Sequence, residues 1–208
     1  MKMNALAFVL AFVMAPFAQA QETEGLSVGA GLSTFGANLE AAYHLNDNFR
    51  LRGALMGGFS ADYDDTGIDG DVEGEFNLGG LALLADYYFN QSGWRVSGGL
   101  FFSDTDLSAT GTTDIDGLGD VVVTVDAEFE NDIAPMVTTA YDWRFADGWS
   151  LSSEIGLIIN GGIDVDFTAS DSAVQDMVDD DEDVQDTIDD ASDITVLPYV
   201  SFLVAYQF

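Results

Sequence analysis

The sequence predicts an all-β fold: an eight-stranded antiparallel up-and-down transmembrane β-barrel with its apolar face toward lipid. Three observations predict it. From Gly25 to Phe208, apolar and polar residues alternate with period two between clusters of turn-forming residues. The turns alternate in length: Asn46–Asn48, Asn90–Gly93 and Ala146–Gly148 are short, and the segments between them are long and acidic. All three Trp and all four mature-chain Arg sit beside the short turns, Trp on the apolar face and Arg on the polar one. A soluble sandwich buries its apolar face and has no reason to gather every Trp at one end. A barrel in lipid does, because aromatic rings favour the membrane interface.

Residues 1–20 read as a cleaved signal peptide. Lys2 precedes the apolar run Ala5–Met14, and Ala18-Gln19-Ala20 is an A-x-A cleavage site. That run is too short to span a bilayer. The domain is then 21–208, a single barrel starting at Gln21. The first strand is Leu26–Ser33 and the second Phe35–Leu45, with Phe35, Leu39 and Tyr43 on the apolar face. Ser33–Gly36 must be a tight turn for the count to reach eight. The third strand is Phe49–Tyr63, and the fourth runs from about Glu75 to Phe89. The fifth opens at Trp94. The sixth descends from about Val125 to Phe145. The seventh is Trp149–Phe167, and Val196–Phe208 closes the count. Long outer loops are expected at about 62–75, 104–123 and 170–193. In the last of these, Val174, Met177, Val178 and Ile188 suggest a short helix.

The mature chain carries four Arg and no Lys against 37 acidic residues, which disfavours nucleic acid as a partner. Cys is absent, which removes disulfides and thiolate metal sites.

The leader, the aromatic girdle and the terminal Tyr206-Gln207-Phe208 carry a resemblance. The chain resembles the small outer-membrane β-barrel proteins of Gram-negative bacteria, the OmpA-, OmpX- and OmpW-like barrels. The resemblance implies insertion by the barrel-assembly machinery through the last strand. It also implies outer-membrane lipid and lipopolysaccharide as surroundings, periplasmic termini and a monomer. It leaves activity open, because such barrels include structural proteins, porin-like channels, adhesins and enzymes.

Four sets of residues are candidates for function. The girdle comprises Phe49, Phe89, Trp94, Trp143, Phe145, Trp149, Tyr206 and Phe208. A lumen charge network comprises Arg50, Arg52, Arg95 and Arg144 with Glu40, Asp86, Asp142 and Glu154. It could be a structural plug or the filter of a narrow channel for small solutes; eight strands leave room for little besides side chains, which favours the plug. Asp62, Asp64, Thr66, Gly67 and Glu73 fall at calcium-loop positions, with Asp69 among them. This makes Asp62, Asp64, Asp69 and Glu73 the candidate ligands of a weakly held Ca²⁺ or Mg²⁺, with no other cofactor expected. A surface adhesin or divalent-cation module is the remaining alternative. The single His, His44, lies near Asp47, Ser97 and Ser150, but far from the outer rim where enzymes of this barrel type work. No catalytic residue is expected.

Overall fold

The computed structural model describes residues 25–67, 70–89, 92–115, 119–145 and 148–208. The leader 1–20 lies outside them. Alternation produces eleven strands among these residues: β1 (Leu26–Ser33), β2 (Gly36–His44), β3 (Phe49–Gly67), β4 (Gly70–Tyr88), β5 (Trp94–Ser103), β6 (Asp106–Ile115), β7 (Gly119–Phe129), β8 (Ile133–Arg144), β9 (Trp149–Ile159), β10 (Ile163–Ala169) and β11 (Val196–Gln207). Eight of them close a barrel in the order β1-β2-β3-β4-β5-β8-β9-β11, and the ring shuts where β11 pairs with β1. All of these pairings are antiparallel. The fold class is the one the alternation predicts.

Closure at eight depends on one turn. Ser33 pairs with Gly36, leaving Thr34 and Phe35 as the loop. Phe35 N–H donates to Ser33 Oγ, and Gly36 takes φ +104°, which a side chain would resist. Phe35 is therefore a turn residue and not the start of β2. Its ring leaves the expected lipid face and enters the lumen, 5.0 Å from the ring of Phe101.

β3 and β4 are each 19 residues long, against about 9–11 for a strand that only spans a bilayer. Their short-turn halves are barrel wall. Their far halves continue into a second sheet of order β3-β4-β6-β7-β10. The expected loop at 62–75 is thus a paired hairpin, with Asp62 opposite Glu75 and Asp64 opposite Glu73. The expected loop at 104–123 is largely the β6–β7 hairpin. Two further expectations are corrected here. The sixth strand breaks at 130–132, so its first part is β7 of the outer sheet. The seventh breaks at 160–162, where Gly161 and Gly162 take φ +89° and +150°, and its second part is β10.

Two helices join β10 to β11: α1 (Ser172–Asp179) and α2 (Glu182–Ser192). Acidic residues start both. Asp171 accepts from Ala173 N–H, and Asp181 accepts from Asp183 and Val184 N–H, which satisfies donors a helix start leaves free. Val174 is buried, and Gln175 guards the β10 edge. Its Nε2 donates to Phe167 O, and its Oε1 accepts from Ala169 N–H.

The lipid belt is explicit in the burial pattern. Leu39, Leu51, Leu55, Leu81, Leu83, Val96, Leu100, Val137, Leu151, Ile155, Leu157, Val200, Phe202 and Val204 are all exposed. In water such a continuous apolar band would drive aggregation. No helix among the described residues is long and apolar enough to cross a membrane.

Close strand approach inside the barrel depends on glycine. A Cβ on Gly31 would sit 1.9 Å from Phe202 O, whereas one on Gly98 would meet nothing within 4 Å. Gly31→Ala is expected to cost about 1–3 kcal/mol through forced backbone movement, and Gly98→Ala close to nothing. Urea unfolding of the two variants in detergent micelles checks this; equal midpoints would overturn it.

Candidate functional site

Most inward positions in the short-turn half of the barrel are polar or small, with Leu84 and Leu203 among them as buried apolar residues. β3 contributes Arg50 and Arg52, β2 Glu40, β4 Asp86, β5 Arg95, β8 Asp142 and β9 Glu154. All seven are buried, with Arg52 at 4%, Arg95 at 1% and Asp86 at 1% exposure. A charge so desolvated is tolerable only if paired and hydrogen-bonded.

Arg52 is the hub. Its Nε donates to Asp86 Oδ1 at 2.9 Å, its Nη1 to Glu40 Oε2 at 2.9 Å and its Nη2 to Glu154 Oε1. β3 and β9 stand four places apart in the ring of eight, so the Arg52–Glu154 pair crosses the full lumen. Arg50 Nε donates to Asp86 Oδ2 at 2.6 Å, and its Nη2 lies 3.7 Å from Glu40 Oε1. Arg95 Nη2 donates to Glu154 Oε2 at 3.0 Å and to Ser152 Oγ at 3.1 Å, and its Nη1 to Ser97 Oγ. Arg95 also lies 3.4 Å from Asp142. The neutral partners complete the set: Tyr88 Oη donates to Asp142 Oδ2 at 2.6 Å, and Thr138 Oγ1 to Glu154 Oε1.

Arg144 stands apart from this network. It shares the inward parity, but it is the last inward position before a short turn, and it is exposed. Its guanidinium carbon lies 5.8 Å from the centroid of the Tyr88 ring, and that of Arg50 lies 5.5 Å from the same ring. Its expected place among the lumen ion pairs is therefore corrected to the mouth of the lumen.

Above the charges the lumen is mostly apolar, with one buried amide, Asn38, whose Nδ2 donates to Tyr199 Oη at 3.4 Å. Met56, Leu84, Phe101, Met136, Ile158 and Tyr199 fill it, roofed by Phe35 from the β1–β2 turn and Phe129 from the end of β7. The lumen network expected from the sequence names charges alone and leaves this layer out. The signal was present in Met56, Leu84, Phe101, Met136 and Ile158, large apolar residues at inward parity.

The girdle residues form three contact groups around the short-turn rim. Tyr87 lies between Phe49 and Phe89, with centroids at 5.1 and 5.2 Å. Tyr141 lies between Trp94 and Trp143 at 5.3 and 4.8 Å. Tyr206 lies between Trp149 and Phe208 at 5.2 and 5.1 Å. Tyr87 and Tyr141 were absent from the predicted girdle although they share its face. Phe145 is exposed at the same rim.

The candidate calcium ligands Asp62, Asp64 and Glu73 lie on the β3–β4 hairpin. They stand on an antiparallel ladder that runs in register as far as Gly67 opposite Gly70, where a metal loop would have to coil around an ion. Asp69 lies outside the described residues. Among the described residues no three His, Cys or acidic side chains are grouped so as to hold a metal. His44 Nδ1 lies 3.0 Å from Gly25 O, while Ser97 is engaged by Arg95; no His–Ser hydrogen bond occurs among the described residues.

These features define a class: a closed eight-stranded β-barrel, apolar outside, with an ion-paired layer inside. Two solved structures share its fold. The chain is similar to Acinetobacter baumannii CarO, at 18% identity over 90% of this chain and 100% of that one, with a TM-score of 0.61. It is likewise similar to Acinetobacter baumannii CarO2, at 17% identity over 90% and 100%, with a TM-score of 0.59. At this identity the likeness is one of fold. No protein-family model matches the chain, and no curated protein sequence does.

Removing Arg52 would leave Glu40, Asp86 and Glu154 short of a shared cation. Arg52→Ala is expected to destabilise the barrel by about 3–5 kcal/mol. Asp190→Ala, on an exposed helical position, should change stability by no more than about 0.5 kcal/mol. Chemical unfolding in micelles measures both, and equal effects would mean that the network contributes nothing.

Proposed function

We propose that this chain is an outer-membrane β-barrel protein of a Gram-negative cell. Its role is structural or surface-exposed, its lumen is sealed, and it performs no catalysis. The observation that carries this reading is the Arg52–Glu154 pair, which spans the lumen beneath a packed apolar layer. Ions crossing would have to break several desolvated charge pairs and then part a packed core. The exposed apolar belt and the aromatic rim support residence in a bilayer, with the short turns periplasmic and the outer sheet at the cell surface. The resemblance to OmpA-, OmpX- and OmpW-like barrels agrees with this and supports insertion through β11 as a monomer. A narrow channel for small solutes is the competing reading. The folded protein in planar bilayers should give no steady conductance; a stable ohmic current would overturn the sealed lumen and establish the channel.

A second reading rests on the outer sheet. On one of its faces Asp106 stands opposite Glu128, Glu128 opposite Asp164, and Asp126 opposite Asp166. All five are exposed, as are Glu73 and Glu75 on the same face. Like charges directly opposite destabilise a sheet. Facing lipopolysaccharide phosphates, such a surface needs counter-ions, and Ca²⁺ or Mg²⁺ suit clustered carboxylate oxygens. The binding would be weak, shared across the face and free of any single ligand cage. Millimolar Ca²⁺ or Mg²⁺ is expected to raise the melting temperature above that in NaCl of matched ionic strength. If NaCl does equally well, the face is solvated surface, screened like any other.

A further inference from the structure

A cavity of about 180 Å³ opens at the short-turn mouth of the lumen, below the ion-pair layer. Its polar lining includes Arg50, Arg144, His44, Tyr88, Asp142 and Ser150. Arg50 belongs to the seal above, but Arg144 does not. Their guanidinium groups flank one ring, with their carbons 5.5 and 5.8 Å from the Tyr88 centroid. Like charges so placed repel unless something negative lies near both.

The one carboxylate of the lining is already engaged. Asp142 accepts from Tyr88 Oη at 2.6 Å and lies 3.4 Å from Arg95 Nε. Arg50 retains a free donor. The residue is 94% buried, yet its Nη2 makes no hydrogen bond to any protein group, and Glu40 at 3.7 Å is beyond bonding range. A buried guanidinium N–H without an acceptor is costly. A planar guanidinium is also the group best matched to two oxygens of one oxyanion.

We propose that this mouth cavity is a binding site for a small oxyanion, a carboxylate or a phosphate, held by the exposed Arg144 at the rim and drawn by the positive charge of Arg50 in the cavity lining. The volume admits a ligand of a few heavy atoms and excludes a polymer. The hydroxyl of Ser150, the cross-strand partner of Arg144, offers a neutral donor beside it. The site lies on the closed side of the plug, so occupation requires no passage through the lumen.

His44 is the only histidine of the sequence and lines the cavity, so its ring signals report on the site alone. The test is an NMR titration of the folded, untagged barrel in micelles at fixed pH. Acetate or inorganic phosphate replaces chloride at constant ionic strength. A saturable shift of the His44 ring is expected, and the anion that saturates names the source. Arg144→Gln should raise the half-saturating concentration about tenfold, the loss of one charge-assisted bond. Arg144→Lys, which keeps the charge, should retain saturation. Arg144 is exposed and outside the ion-pair layer, so both variants keep the fold. Shifts that stay linear and match those in chloride would overturn the site. So would an Arg144→Gln variant that titrates like the parent.

Discussion

The ion-paired layer around Arg52 is the constraint on which the rest of the barrel depends. A buried ion network is poor evidence for stability in itself, because desolvation offsets much of the attraction. Its stronger effect is on register. Strand side chains alternate, so slipping any wall strand by one residue would carry its lumen charges into lipid and its leucines into the lumen. For β3 that exchange would expose Arg50 and Arg52 to hydrocarbon and bring Leu51 and Leu55 inward. The penalty for a charge at the bilayer centre is large on every scale. The network thus fixes which face of each strand turns inward. The cross-lumen pair from β3 to β9 ties together strands that never touch through their backbones.

The outer sheet follows from the same parity. One extra residue between Met56 and Phe59 makes a bulge in β3, and Gly58 at φ +92° accommodates it. β4 passes the same level without a shift, so Phe76 and Leu78 continue the inward row of Ala82 and Leu84. Leu78 packs on the lumen core. On the outward row the leucines at 81 and 83 give way to Asn77, Glu75 and Glu73. The change falls within four residues, at Gly79 and Gly80. One continuous strand therefore crosses from a surface that must be apolar to one that must be hydrated, with no change of fold. The apolar face carried upward meets β7 and β10, whose Phe129, Val125 and Val165 share it by register.

Much of this was legible in the sequence, for a physical reason. Period two states which residues share a face, and the Trp and Arg positions state which face is wet and which end is which. Parity alone placed Arg50, Arg52, Arg95, Glu40, Asp86, Asp142 and Glu154 inward. Depth is not written in parity. Arg144 has the right face, but it is one step from the turn and so reaches solvent. Pairing is not written there either. Leu107, Ala109, Val123 and Val125 alternate well, yet nothing local says that they join β4 instead of forming a loop or lengthening the wall. The break at Gly161-Gly162 was visible as composition, but its consequence, transfer of β10 to another sheet, depends on residues distant in the chain. Phe35 illustrates the same limit. A two-residue turn rotates it out of the alternation that its neighbours obey.

The scarcity of arginine in so acidic a chain then has an explanation in dielectric terms. The outer-sheet carboxylates Asp106, Asp126, Glu128, Asp164 and Asp166 are exposed, so water and salt offset their repulsion and no protein cation is needed. The four lumen carboxylates have no such recourse. Three buried arginines serve them, and Asp142 makes up the shortfall with the neutral hydroxyl of Tyr88. Arginine suits this better than lysine because one planar group can serve three acceptors at fixed angles, as Arg52 does. A lysine there would offer a single point of charge to three carboxylates on three strands. The positions of the few cations are thus set by where water is excluded. That is why they sit within a few residues of the short turns while the acidic excess lies on the far side of the barrel.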